Sequence, residues 1–197
     1  MQAWPSGKRA AHLLLGGCPL LLLCDPLRHA IESRMLLHML LEFPLLLASG
    51  WMVSSRFRTE AAGPDAHGLL GITVALCVSA LWMVPVALDL SLLSAPVQCA
   101  KVASWWLCGA VLARSWPRLS SEAIVFLLGN LAWMWATAGL LYQDAEQRLC
   151  VNYPIDDQLW TGRALVALAL LLGAAALFAM ARPGATQAQI QPGVPVV

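Results

Sequence analysis

Met35, His38, Met39 and Glu42 stand at i, i+3, i+4 and i+7 in the stretch "RMLLHMLLEFPLLLASGWMV" (34–53), within an otherwise apolar segment. On a helix this spacing gathers an imidazole, a carboxylate and two thioethers on one face, while Leu36, Leu37, Leu40 and Leu41 cover the rest. A charged group at the centre of a bilayer costs roughly 2.5–3.5 kcal/mol, whereas each leucine returns about 0.3–0.6. Glu42 therefore needs a partner, and the side chains sharing its face are the candidates for chemistry. A second stripe, Lys101, Ser104, Trp105 and Cys108, repeats the spacing, and its lysine can pair with Glu42 or with Asp89. A third, Asn130, Trp133, Met134 and Thr137, is weaker. Together the stripes predict helices packed around a shared interior.

The elements that must carry these residues follow from composition. The chain has 197 residues, 59% hydrophobic and 12% charged, with a mean hydropathy of +0.70. A soluble domain is about a quarter charged, so this chain lacks the polar surface to coat one core and reads as a membrane protein. A net charge of +1 with no basic cluster argues against nucleic acid as a partner. Apolar runs at 35–53, 68–88, 97–113, 123–142 and 164–181, with a shorter one at 10–24, match the ~20 residues that cross a bilayer. None alternates with period 2, so the fold class is all-α: a polytopic transmembrane helix bundle of about six spans in one domain, 1–182. Run 10–24 follows Lys8 and Arg9 but lacks a small-x-small cleavage site, and it reads as an uncleaved first span. Pro44 and Pro85 should kink their spans. The tail 183–197, rich in Pro, Gly and Gln, reads as disordered.

Orientation follows from Lys and Arg beside the spans. With both termini cytoplasmic, the inner segments hold Lys8, Arg9, Arg56, Arg58, Arg114, Arg118 and Arg182; the outer ones hold Arg28, Arg34, Arg148 and Arg163. On that topology His29, Glu32, Met35, His38, Met39, Asp89, Cys99, Cys150, Asp156 and Asp157 lie in the outer half or outer loops. Thioether, thiol and imidazole donors suit copper, particularly Cu(I). The expected metal set is His38 with Met35 or Met39, with His29 and Cys150 as exchange partners and Glu42, Lys101 and Asp89 setting local charge. The same residues also serve packing: Met fills core gaps, and a lone His hydrogen-bonds a neighbouring helix. The six cysteines form no C-x-x-C; Cys99 and Cys150 are either two free thiols or, in an oxidising outer compartment, a disulfide.

Other chemistries lack their residues. Bis-histidine haem needs paired intramembrane histidines, and only His38 lies inside a long span. No G-x-S-x-G, H-E-x-x-H or phosphate-binding glycine loop occurs, and adjacent Asp156 and Asp157 would point about 100° apart on a helix. No catalytic set emerges, so an enzyme is not expected.

Two stretches carry a family resemblance. "RMLLHMLLEFPLLLASG" (34–50) resembles the early helix of the CtaG-like assembly factors of caa-type cytochrome c oxidases, a His-Met-x-x-His pattern followed by an apolar run, Pro-Leu-Leu and a small residue. "PIDDQLWTGRAL" (154–165) is similar to the family's late Pro-x-x-Asp-Gln segment with a following Gly. His38 matches the second histidine, Pro44 the proline, Gly50 the glycine, and Asp157, Gln158 and Gly162 the late motif. Arg34 replaces the first histidine, and a guanidinium stays protonated and cannot ligate a metal; His29 is the nearest substitute. The resemblance implies a multi-pass protein of a bacterial-type inner membrane that delivers copper to, or matures, a haem-copper oxidase, with an oxidase subunit and the lipid bilayer as partners. Two rival readings stay open: a structural subunit whose polar stripes are interhelical glue, and a small transporter lined by Glu42, Lys101 and Asp89. Oligomeric state has no signature in the sequence.

Overall fold

Leucine- and alanine-rich runs satisfy their backbone groups internally only as helices, and the computed structural model, which describes residues 16–17, 24–56, 65 and 67–181, is helical with no strand among them. In order these are α1 (Leu27–Glu32), α2 (Met35–Arg56), α3 (Leu69–Trp82), α4 (Pro85–Leu93), α5 (Ala95–Ser115), α6 (Ser121–Asp144) and α7 (Ile155–Ala181). The first span expected at 10–24 and the tail 183–197 lie outside the described residues, except for Gly16, Gly17 and Cys24. Gly16 rests on α2, its carbonyl accepting from Ser49 Oγ at 2.6 Å.

Among the described residues three helices, α2, α6 and α7, are long and apolar enough to cross a membrane, and a fourth span results if α3 and α4 count as one bent element. Helix α5 is not among them, because Gln98, Lys101 and Arg114 interrupt its apolar residues. It is instead the central helix, with α2, α3 and α4 packed around it. A helix enclosed by its neighbours can carry charge where a lipid-facing one cannot. Helices α6 and α7 pair along their length and join the rest through α3 and the start of α2.

Both prolines act, though not as simple kinks. Val84, held extended (φ −75°, ψ 121°) by the ring that follows it, ends α3, and α4 departs at 76°. The span expected at 68–88 is therefore two helices. Tyr142 Oη donates to the Met83 carbonyl at the break. In α2 the helix stays continuous but widens into a π turn over His38–Glu42. Pro44, two residues beyond the turn, lacks the N–H that would bond the Leu40 carbonyl, so the wider turn accommodates the ring without breaking the helix.

Close approach of α2 and α5 depends on two glycines. A methyl group on Gly50 would overlap the Trp106 carbonyl, and one on Gly109 would overlap the Leu47 carbonyl, so the two backbones touch directly. Gly139 and Gly162 do the same for α6 and α7. At the far end of α5, Asp65 joins α3 to α5: its carboxylate accepts from Leu70 N–H and Ser115 Oγ, and Arg118 approaches at 3.9 Å.

Gly50→Val or Gly109→Val should lower unfolding stability in detergent by about 1–3 kcal/mol through overpacking. Gly129→Ala and Gly173→Ala, where the added methyl meets open space, should leave the midpoint unchanged or slightly raised. For Asp65, burial pushes the carboxyl up, but the Ser115 hydroxyl, the Leu70 N–H and Arg118 outweigh it and hold it below 3.8. A carboxylate depressed in the folded state adds stability above its unfolded value and loses it as pH falls through the folded one. The gap in thermal midpoint between wild type and Asp65→Asn should therefore shrink as pH is lowered from about 6 to about 3.

Candidate functional site

Glu32 ends α1 with its side chain turned inward, 7% exposed. Its carboxylate accepts from Arg28 Nε at 2.8 Å, from Gln98 Nε2, and from Lys101 Nζ at 2.8 Å. Gln98 and Lys101 lie three residues apart on α5, and therefore on one face. Arg28 sits at the edge of the cluster and also reaches the Leu92 carbonyl at the end of α4. Its bond to Glu32 raises the guanidinium above its already high range, so the positive charge is permanent.

Lys101 is fully buried, and its ammonium is the hub. Besides Glu32 it lies 2.8 Å from Glu42 Oε1 and 2.7 Å from His38 Nε2. Glu42 pairs with Lys101 through Oε1, while its Oε2, 3.5 Å from His38 Nε2, receives no hydrogen bond. Because an ammonium can only donate, Nε2 of His38 accepts. Nδ1 then carries the proton and donates to Tyr153 Oη at 2.6 Å, which fixes the imidazole as a neutral tautomer. Burial, followed by the charge of Glu32, pushes the Tyr153 phenol well above its ordinary range, so it remains a neutral hydroxyl. His38 meets Phe43 edge to face, and Phe43 stacks on Trp105 at 4.8 Å, so the cluster borders the apolar core directly.

The sequence stripes divide on inspection of their positions. Met35, His38, Met39 and Glu42 are all buried at 4% exposure or less, and Lys101, Trp105 and Cys108 are buried on the facing helix. The Asn130 stripe does not join them. Asn130 and Thr137 bond carbonyls of their own helix, and Trp133 is 77% exposed. Of the two partners expected for Lys101, the structure pairs it with Glu42. Asp89 instead accepts from Val151 and Asn152 N–H groups, fastening the 145–154 loop to α4.

The sulfur donors occupy different ground. Met35, Met39 and Cys150 belong to one apolar cluster with Trp82, Trp105 and Leu165. Cys150 and Cys99 are both free thiols, the former buried and the latter exposed; burial and then Asp89 push the Cys150 thiol up to about 12. His29 is exposed on α1. Asp157 accepts from the Met35 N–H and so caps the start of α2, while Gln158 accepts from Leu149 N–H and donates to the Tyr142 carbonyl. The ionisable donors that do converge are Glu32, His38 and Glu42, with one ligand atom of each within 4.8 Å of the others. Glu32, Gln98 and Tyr153 were not candidates from sequence. The i, i+4 pairing of Arg28 with Glu32 and the i, i+3 placement of Gln98 before Lys101 are the local signals that point to two of them.

No protein-family model matches the chain, and no curated protein or solved structure matches it.

Tyr153→Phe would leave the His38 Nδ1–H buried without an acceptor, which costs about 1–3 kcal/mol. Chemical unfolding in detergent should show a loss of that size; an unchanged midpoint would mean that the hydroxyl is not the partner of the imidazole.

Proposed function

We propose that the protein is a multi-pass assembly factor of a bacterial-type inner membrane, with about six spans and both termini cytoplasmic, that matures a respiratory haem-copper oxidase and is not itself an enzyme. One observation carries this reading: the two stretches that resemble the CtaG-like family, distant in the chain, are joined in space. Asp157 of the late stretch caps Met35 at the head of the early one, and Tyr153, just before the late stretch, bonds His38 within it. The heads of the two stretches thus meet at one end of the bundle, the end that the Lys and Arg count assigns to the outer leaflet.

Copper handling belongs to this reading through His38. Imidazole with the carboxylates of Glu32 and Glu42 is a nitrogen and oxygen set that suits a divalent ion better than Cu(I). A copper ion on His38 requires Lys101 to leave Nε2, and the thioethers of Met35 and Met39 are committed to apolar packing. Maturation through helix contacts is accordingly the part of the proposal that needs no rearrangement.

The structural-subunit reading has its own support, because Arg28, Glu32, Lys101 and Glu42 pair with one another and lock α1, α2 and α5 together. The transporter reading loses its line of charges, since Asp89 is engaged with the 145–154 loop.

Purification of the tagged protein from native membranes in mild detergent should recover a haem-copper oxidase subunit, and removing the gene should lower the oxidase haem signal in those membranes. Normal oxidase levels without the protein, and no oxidase subunit in the purified material, would leave the structural-subunit reading in its place.

A further inference from the structure

We propose that Glu32, His38 and Glu42 form a divalent-cation position in which the Lys101 ammonium is the resident cation. The Nζ atom lies 2.8, 2.8 and 2.7 Å from Glu32 Oε1, Glu42 Oε1 and His38 Nε2, one contact to each of the three converging groups. It therefore stands where an ion coordinated by the same atoms would stand.

The cluster around it is short of positive partners. Oε2 of Glu42, 1% exposed, and Oε1 of Gln98, 2% exposed, receive no hydrogen bond, and the Gln98 side chain is held at the cluster by the bond from its Nε2 to Glu32. Two buried acceptors at the cluster thus lack donors, and such groups are costly to leave unsatisfied. A metal ion can engage both oxygens of a carboxylate, whereas Lys101 pairs with Oε1 of Glu42 and leaves Oε2 without a hydrogen bond. Charge gives the same answer. Of the fully buried groups, two are carboxylates and one is an ammonium, and Arg28, a quarter exposed, completes the balance only from the edge.

His38 is already prepared as a ligand. Its Nδ1–H donates to Tyr153 and its Nε2 is the accepting atom, the arrangement that orients metal-binding imidazoles. One imidazole and two carboxylates suit Zn²⁺, Co²⁺ or Cu²⁺. Bonds of about 2.0–2.2 Å place tetrahedral ligands roughly 3.4 Å apart, so donors now within 4.8 Å would draw in by about an ångström as the flexible lysine withdraws. Competition from that ammonium keeps the wild-type affinity low.

The inference shares residues with the proposed function but not its premise, because metal titration of the purified protein and recovery of an oxidase subunit succeed or fail independently. In detergent, Co²⁺ titration followed by d–d absorption, with Zn²⁺ as competitor, should show one-equivalent binding to Lys101→Met at least about tenfold tighter than to wild type. Adding His38→Ala to that variant should abolish the tetrahedral absorption. A folded Lys101→Met protein that binds Co²⁺ no tighter than wild type overturns the proposal. Should Lys101→Met fail to fold in metal-free medium, Zn²⁺ present during expression and extraction should restore a monodisperse helical protein, because an ion that binds only the folded state stabilises it; no rescue overturns the proposal equally.

Discussion

One buried ammonium organises this protein. Lys101, with no exposed surface, lies against two carboxylates and an imidazole in the interior of an apolar bundle. Each charge alone would cost several kcal/mol to keep from water, and removing one partner from such a pair costs about 3–5 kcal/mol because the other is stranded. The groups come from α1, α2 and α5, so their mutual dependence fixes how these three helices sit. It also explains why α5, the least apolar of the long helices, is the one against which α2, α3 and α4 all pack.

Much of the surrounding structure serves to keep these groups within reach. The π turn before Pro44 lies over His38–Glu42 itself, so the proline that disturbs α2 also shapes the presentation of two members of the cluster. Gly50 and Gly109 let the α2 and α5 backbones meet lower down, which sets the spacing at which Lys101 can span to Glu42. From the other side, Tyr153 holds the imidazole tautomer while Asp157 and Gln158 anchor the loop that presents it. Loss of any of these supports would be felt at the ammonium.

His38, Glu42 and Lys101 were legible in the sequence because each breaks a long apolar run, and helical spacing told which residues share their faces. Glu32, Gln98 and Tyr153 were not, since their roles come from chain segments brought together only by packing: Glu32 lies in a six-residue helix outside any span, and Tyr153 lies in a loop. The Asn130 stripe misled for a physical reason. Asn and Thr can bond the carbonyl four residues back, so a polar residue in an apolar helix need not seek an interior. Pro85 was legible as a disturbance but not as a 76° turn, which also depends on Tyr142 meeting the freed carbonyl from a distant helix. The soft-donor pattern grouped Met35, Met39 and Cys150 as possible ligands, and the structure places them in apolar packing while oxygen and nitrogen atoms converge beside them.

The most direct test is a thermodynamic cycle across Glu42 and Lys101, comparing unfolding of Glu42→Gln, Lys101→Met and the double variant under one detergent condition. If the two side chains sustain each other, the double variant should be less destabilised than the sum of the singles, with a coupling of about 1–3 kcal/mol. Costs that add to within about 0.5 kcal/mol would mean that the charges are held separately, and the ammonium would not be the feature on which the architecture rests.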